Sequence, residues 1–134
     1  MLPITALLLD PCTPLRPTAR VVNLLPNPET FAECLGCRSV SISTLDDGTP
    51  IVMDAGPLFH HLNAEIGGHV CVMRKSWPDA ICGPILITGG PDQHGRPTSL
   101  TPQECLILPA QFMAGWLTLG TGGTVKMLTR LTVV

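Results

Sequence analysis

Short apolar runs separated by polar residues and prolines recur along the chain, and the first two predict a pair of strands. Residues 4–9 form an apolar run that is short for a helix and ends at Asp10, which favours a buried strand. Residues 19–25 form a second run that is rich in aliphatic side chains. We expect the two strands to pair as a hairpin.

Strict alternation of apolar and polar residues predicts a second hairpin. Val40, Ile42 and Thr44 fall on one face of a strand, because successive side chains point to opposite faces. Residues 45–49 then hold an acidic pair and a glycine, which are typical of a turn. The apolar residues 51–53 return as the partner strand.

Three later segments complete the predicted sheet. Residues 69–73 and 81–88 are apolar enough for strands. The second segment needs Pro84 at its start, at a bulge or on a sheet edge, because proline donates no ladder hydrogen bond. Residues 125–134 predict a closing strand.

The first predicted helix is bounded by recognisable caps. Asn27 can cap its start, and Pro28 suits the first helical position. The helix should end at Gly36, because glycine readily adopts the left-handed conformation that follows a helix.

A second helix is predicted from a capping box. Thr101 and Glu104 can each bond the other's backbone N–H, with Pro102 at the first helical position. Pro109 should interrupt this helix, and we expect it to resume through residues 112–116. Together these elements predict an α+β fold: one domain over residues 1–134, with a mainly antiparallel sheet of about five to seven strands and two helices packed on it.

Composition and charge disfavour several classes of protein. Apolar residues make up 45% and charged residues 13%, so some apolar surface should stay exposed and we expect a homo-oligomer. The net charge of −2 without a lysine or arginine cluster argues against binding to nucleic acid.

No apolar run reaches the roughly 18 residues of a membrane helix. We expect no membrane association and a cytoplasmic protein with reduced cysteines, although six cysteines could form three disulfides in a secreted chain.

A polar connector between two predicted strands holds three of the four histidines and is the first candidate ligand-binding site. On a tight loop its side chains offer donors, an acceptor and a titratable base beside two glycines, where a ligand can approach the backbone. The alternative is a solvated loop whose asparagine bonds its own turn. The candidate residues are His60, His61, Asn63, Glu65 and His69.

Two other segments are candidates for contact with an anion. Arg74 and Lys75 can neutralise the phosphates of a nucleotide whose base stacks on Trp77. The glycine-rich residues 89–96 can cradle a phosphate with backbone N–H groups while Arg96 faces it. The alternatives are a tryptophan that covers the core and an ordinary hairpin loop.

The cysteines and serines predict neither a metal centre nor a catalytic site. Cys34 and Cys37 have the spacing of a zinc knuckle or a redox pair, and His69 with Cys71 could complete a zinc site. Because a helix C-terminus opposes a thiolate, we interpret Cys34 and Cys37 as ordinary half-buried cysteines and expect no cofactor; a zinc module remains the alternative.

No nucleophile is paired with a base at a recognisable spacing, and the aspartates Asp46, Asp47 and Asp54 lie in or beside a turn. We therefore expect no enzyme activity.

Five short pieces of sequence, in this order, resemble the domain-of-unknown-function family 3846 of phage, plasmid and actinobacterial proteins. They cover roughly residues 19–108 and comprise residues 31–36, 46–48, 62–64, 82–89 and 99–104. The resemblance implies an accessory protein of a mobile element in a bacterial host, where small proteins inhibit host enzymes or sequester signalling molecules.

With the candidate residues, this context predicts a non-catalytic anti-defence protein that sequesters a small anionic, nucleotide-derived ligand. The alternative from another class is a protein–protein inhibitor of a host enzyme.

Overall fold

A computed structural model describes residues 1–11, 16–56, 61–63, 68–74, 80–118 and 124–134 of the chain. Its helices are α1 (Pro28–Leu35), α2 (Pro102–Ile107) and a 3-10 helix (Leu108–Gln111). Its strands are β1 (Ile4–Asp10), β2 (Thr18–Leu24), β3 (Val40–Thr44), β4 (Pro50–Asp54), β5 (Leu62–Asn63), β6 (Gly68–Arg74), β7 (Ala80–Cys82), β8 (Ile85–Ile87), β9 (Phe112–Thr118), β10 (Thr124–Arg130) and β11 (Thr132–Val133).

The described strands form two sheets, which confirms the α+β class. The first sheet has six strands in the order β11-β2-β1-β8-β4-β3. The second has the order β10-β9-β6-β5, and β7 also pairs with β6. All pairings are antiparallel except β11 with β2. The sequence predicts a mainly antiparallel sheet of about five to seven strands, and the structure divides its mainly antiparallel strands between two sheets.

The two predicted hairpins and both predicted helix starts are confirmed. β1 pairs with β2, and β3 pairs with β4. The Asn27 side chain accepts a hydrogen bond from the backbone N–H of Thr30 at 2.8 Å, and Gly36 ends α1 with φ 69°. Thr101 and Glu104 form the capping box of α2. These elements depend on short-range sequence signals, which is why a single sequence predicts them.

The predicted strand over residues 81–88 is wrong, because the chain leaves one sheet and enters the other in its middle. β7 pairs with β6 in the second sheet, whereas β8 lies between β1 and β4 in the first. Gly83 adopts φ 86° at the junction, a conformation that glycine tolerates. Pro84 follows, where it removes no donor from a continuous ladder.

The second helix does not resume after Pro109, which corrects another prediction. A 3-10 helix ends at Gln111, and residues 112–118 form β9, which pairs with both β6 and β10. The sheet partners on both sides override the helical spacing of Phe112 and Trp116. The closing strand is also divided, because β10 joins the second sheet and β11 joins the first, with Leu131 between them.

The core has two layers that meet at the first sheet. On one face of this sheet, Leu8, Val52 and Leu86 pack with Phe31 and Leu35 of α1. On the other face, side chains from both sheets form a larger cluster that includes Leu7, Leu9, Ile51, Ile85, Ile87, Val72, Ile81, Phe112 and Ala114. The first sheet is therefore covered by a helix on one side and by the second sheet on the other. In the described part of the chain, no helix is both long and apolar enough to cross a membrane.

Candidate functional site

A contact between a histidine ring and an aspartate carboxylate is the centre of the candidate site. The Nε2 atom of His61 lies 2.9 Å from the Oδ2 atom of Asp54. The other carboxylate oxygen of Asp54 accepts a hydrogen bond from the backbone N–H of Gly56 at 2.7 Å. The side chains of His61 and Asp54 are only 13% and 5% exposed. Two oxygens with separate donors fix the carboxylate, and the carboxylate in turn orients the imidazole.

The His61 ring lies against the backbone at the point where the chain changes sheets. A Cβ atom built on Gly83 would come within 2.5 Å of the ring atom Cε1 and within 2.7 Å of Nδ1. Real Cβ atoms do not approach that closely, so the ring occupies the space of the missing side chain. The positive φ of Gly83 independently favours glycine there.

An open cavity of about 610 Å³ lies between this pair and the end of α1. Asp54 shares the sheet face of Val52, the face that α1 covers. The exposed Arg38 supplies a positive charge. The lining residues, called here the His61 cavity, are Leu35, Gly36, Cys37, Arg38, Asp54, His61 and Pro84.

The Cys37 thiol in the His61 cavity is a hydrogen-bond donor rather than a prepared nucleophile. Its Sγ atom donates to the carbonyl oxygen of Ser39 at 3.3 Å. Burial and the negative charge of Asp54 raise the pKa of the Cys37 thiol, and burial raises that of Cys34. A raised pKa keeps a thiol protonated near neutral pH and lowers its reactivity. The cavity can therefore donate hydrogen bonds and attract an anion, but it does not activate this sulfur.

The predicted site residue Arg74 lies elsewhere and is occupied by neighbouring side chains. Its Nη2 atom donates to Oδ2 of Asp47 at 2.8 Å and to Oε1 of Gln111 at 2.9 Å. Its guanidinium carbon lies 6.0 Å from the centre of the Phe112 ring. The hydrogen bond from Arg74 holds the pKa of Asp47 below its usual range. Arg74 thus ties the β3–β4 turn to the second sheet.

The structure does not bring His61 and Arg74 together. His61 contacts Asp54, the last residue of β4. Arg74 bonds Asp47, which lies in the turn before β4 begins at Pro50. A five-residue strand separates the two contacts, a distance of roughly 13 Å at about 3.3 Å per step.

The other predicted ligand-binding residues are partly outside the described residues. Asn63 is described only through its backbone in β5. The residues without a described structure are His60, Glu65, Lys75 and Trp77.

His69 and Arg96 occupy two further, separate positions. His69 is buried in β6, and its Nδ1 atom has no hydrogen-bond partner among the described residues. Arg96 is exposed in the glycine-rich loop, whose backbone N–H groups at His94 and Arg96 donate to Oδ1 of Asp92. These bonds lower the pKa of Asp92. Two backbone N–H groups of the loop are therefore already bound by the loop's own carboxylate.

The cysteines considered for zinc are distributed over different elements. Cys34 and Cys37 pack with α1 on the first sheet, while His69 and Cys71 lie in β6 of the second. Within the ranges that the structure describes, no group of three or more histidine, cysteine, aspartate and glutamate residues is placed to hold a metal ion.

Reasoning from sequence missed Asp54 and Arg38 of the His61 cavity and Gly83, which the His61 ring contacts. Asp54 was interpreted as a carboxylate beside a turn, although its position at the end of an apolar strand, seven residues before His61, was a usable signal. Arg38 follows the predicted helix end and could have been noted as an exposed charge. No sequence pattern indicates the contact of Gly83 with His61, because that contact requires the change of sheet.

The resemblance to the domain-of-unknown-function family 3846 stays a prediction, since no family model, no curated protein and no solved structure matches the chain.

Proposed function

We propose that the protein binds a small anionic ligand in the His61 cavity and does not transform it. The observation that carries this proposal is the buried His61–Asp54 pair at 2.9 Å on the wall of an open cavity of about 610 Å³. A contact between two polar side chains that are largely removed from water contributes little to stability by itself, because desolvation offsets much of its attraction. An oriented imidazole at a cavity wall is, however, a common element of ligand sites.

The charges around the cavity favour an anion. Arg38 carries a permanent positive charge and five N–H donors in a planar fork, which suits carboxylates and phosphates. The carboxylate of Asp54 also lines the cavity, where it lies 2.9 Å from the His61 ring. A phosphate or carboxylate between Arg38 and His61 would gain charge-assisted hydrogen bonds.

The size of the cavity supports a ligand of nucleotide dimensions. Cavities for small molecules measure about 300–1,000 Å³, and the His61 cavity falls within this range. With the mobile-element context that the family resemblance implies, the ligand class is a nucleotide-derived signal of the bacterial host, sequestered in its cytoplasm. The raised pKa of Cys37 supports binding without covalent chemistry.

Calorimetric titration with cyclic nucleotides and ADP-ribose-type compounds tests the proposal. We expect one member of this panel to bind, and we expect His61→Ala and Arg38→Gln to weaken that binding at least tenfold. The matched controls His94→Gln and Arg130→Gln change exposed residues outside the cavity and should keep the affinity of the wild type. No heat with any compound, or equal losses in the control variants, would count against the proposal.

A second candidate function, docking on another protein, is favoured by one apolar groove. The groove has a volume of about 370 Å³ and is lined by one charged residue, Arg130, and otherwise by the apolar residues Leu106, Pro109, Ala110, Phe112, Leu131 and Val133. Leu106 is 82% exposed and Val133 65% exposed, so the groove carries exposed apolar surface of the kind that meets a partner. The occupant would be a host enzyme or, in a homo-oligomer, a second copy of the chain.

Light scattering and affinity capture separate these two occupants. A second copy predicts a dimeric mass that Leu106→Lys reduces to that of a monomer. A host enzyme predicts a monomer that retains one stoichiometric protein, and Leu106→Lys should abolish retention while leaving ligand titration unchanged.

A further inference from the structure

Two cysteines that are distant in sequence lie directly opposite each other in the second sheet. Cys71 of β6 and Cys82 of β7 are Cα partners in an antiparallel ladder. In the adjacent pair, the backbone N–H of Gly83 donates to the carbonyl oxygen of Val70 at 2.9 Å. Hydrogen-bonded and non-hydrogen-bonded pairs alternate in such a ladder. Cys71 and Cys82 therefore form a non-hydrogen-bonded pair, in which side chains approach most closely.

Both thiols point to the sheet face that is turned away from the main core. Val72 and Ile81, the next pair along the ladder, belong to the core cluster between the sheets. Because side chains alternate along a strand, Cys71 and Cys82 share the opposite face. Both are free thiols. Cys71 is fully buried and donates to the carbonyl oxygen of Gly115 at 3.4 Å, while Cys82 is partly accessible.

We propose that Cys71 and Cys82 form a reversible cross-strand disulfide when the protein meets a small disulfide oxidant such as oxidised glutathione. Opposite residues in a non-hydrogen-bonded pair have Cα atoms about 4.5 Å apart, at the short end of the range that a disulfide bridges. The register of β6 and β7 thus supplies the geometry without a change of fold. The proposal is independent of ligand binding in the His61 cavity.

The exchange balances in two steps. The accessible Cys82 loses its proton and its sulfur attacks one sulfur of oxidised glutathione, which forms a mixed disulfide and releases one glutathione thiolate. Cys71 then loses its proton and attacks the Cys82 sulfur, so that the second glutathione leaves as a thiolate. The two thiolates take up the two protons. Two protein thiols are oxidised by two electrons, and one glutathione disulfide is reduced to two thiols.

The environment of the two thiols predicts how the reaction responds to pH. Burial, with a smaller contribution from the charge of Cys82, raises the pKa of Cys71 to about 11, and burial raises the pKa of Cys82. Since the thiolate is the attacking species, cross-linking should be slow near neutral pH and accelerate as the pH rises.

Peptide mapping after oxidation identifies the bond directly. The full-length protein at low concentration is incubated with oxidised glutathione, and remaining thiols are alkylated in acid-quenched denaturant. Cleavage on the amino side of aspartate gives residues 54–78, in which Cys71 is the one cysteine, and residues 79–91, in which Cys82 is the one cysteine. We expect these two peptides to appear joined and to separate on reduction. Before alkylation, the oxidised protein should remain a monomer whose mass has fallen by about 2 Da for the two hydrogens removed.

Matched variants distinguish this bond from other oxidation. Cys82→Ser should abolish the joined peptide, whereas Cys105→Ser, a partly buried cysteine of α2, should leave it intact. The Cys34→Ser, Cys37→Ser double variant removes the only C-x-x-C spacing in the sequence and should also keep the joined peptide. The inference is overturned if the two peptides stay separate while Cys34 and Cys37 oxidise, or if Cys82 carries only glutathione.

Discussion

The His61 ring packs directly against Gly83, in the space that a side chain at this position would occupy. A methyl group on Gly83 would come within 2.5 Å of the ring. This contact links the change of sheet between β7 and β8 to the candidate site. The residue that allows the chain to turn from one sheet into the other, with φ 86°, also allows the imidazole to reach Asp54. Fold and site thus depend on the same glycine.

The first prediction concerns this double role of Gly83. Gly83→Ala should destabilise the protein by about 2–4 kcal/mol, because alanine is strained at positive φ and also collides with the His61 ring. Gly95→Ala is the matched control, since Gly95 has φ 76° but open space around its Cα, so that only the conformational cost of about 1 kcal/mol remains. Urea unfolding measures both. Equal losses in the two variants would show that the collision with His61 contributes nothing.

The second prediction concerns the acceptor role of Asp54. Asp54→Ala removes the carboxylate that accepts from the part-buried His61 ring and from the exposed backbone N–H of Gly56. Loss of the acceptor for the His61 ring costs about 1–3 kcal/mol. The variant should therefore unfold at lower urea concentration and give ring resonances of His61 that indicate a reoriented imidazole. Asp92→Ala, which changes an exposed loop carboxylate, should leave those resonances unchanged. An unaltered His61 signal in Asp54→Ala would mean that this contact does not orient the ring.

Local sequence signals were sufficient for the parts of the fold that depend on neighbouring residues. The caps at Asn27 and Thr101 and the turn before Pro50 each lie within a few positions of the groups they contact. A single sequence therefore predicts α1, the start of α2 and the β3–β4 hairpin. The division of the structure into two sheets depends instead on long-range pairing, such as Leu86 with Leu8 and with Val52. No periodicity within residues 81–88 distinguishes one strand from two.

The candidate site was predictable only in part for a similar reason. His61 was selected because it lies in a polar connector, and the structure places it at a cavity. Its partner Asp54 and its contact Gly83 belong to different strands and come together only through the tertiary fold. Arg74 was selected for its charge, which instead neutralises Asp47. Whether an arginine is available to a ligand depends on neighbours that the sequence does not reveal.

The third prediction is a pH dependence of stability at the β3–β4 turn. The pKa of Asp47 is lowered in the folded state, chiefly by the hydrogen bond from Arg74, relative to about 3.9 in an unfolded chain. Its contribution to stability is therefore complete above about pH 4 and is lost as the pH falls further. Because the Asp47 side chain is 47% exposed, we expect solvent to limit the contribution to about 1 kcal/mol or less.

Asp47→Asn tests this contribution by urea unfolding between pH 2.5 and 6. The variant should be less stable than the wild type at pH 6, and the difference should shrink as the pH falls below 4. Asp46→Asn is the neighbouring control, because Asp46 lies 3.9 Å from Nη1 of Arg74 rather than at hydrogen-bond distance. A constant difference between Asp47→Asn and the wild type at all pH values would contradict the lowered pKa.

The fourth prediction tests the central position of β8, which sequence reasoning placed inside a longer strand. Leu86 is fully buried and packs with Leu8 and Val52 on the face that α1 covers. Leu86→Ala should therefore cost about 2–5 kcal/mol, the sum of lost burial and of the cavity left behind. Leu106→Ala makes the same chemical change at a side chain that is 82% exposed, and we expect a cost below about 1 kcal/mol. Because β8 joins the two hairpins of the first sheet, a small effect of Leu86→Ala on the free energy of unfolding would mean that the hairpins pair in another order.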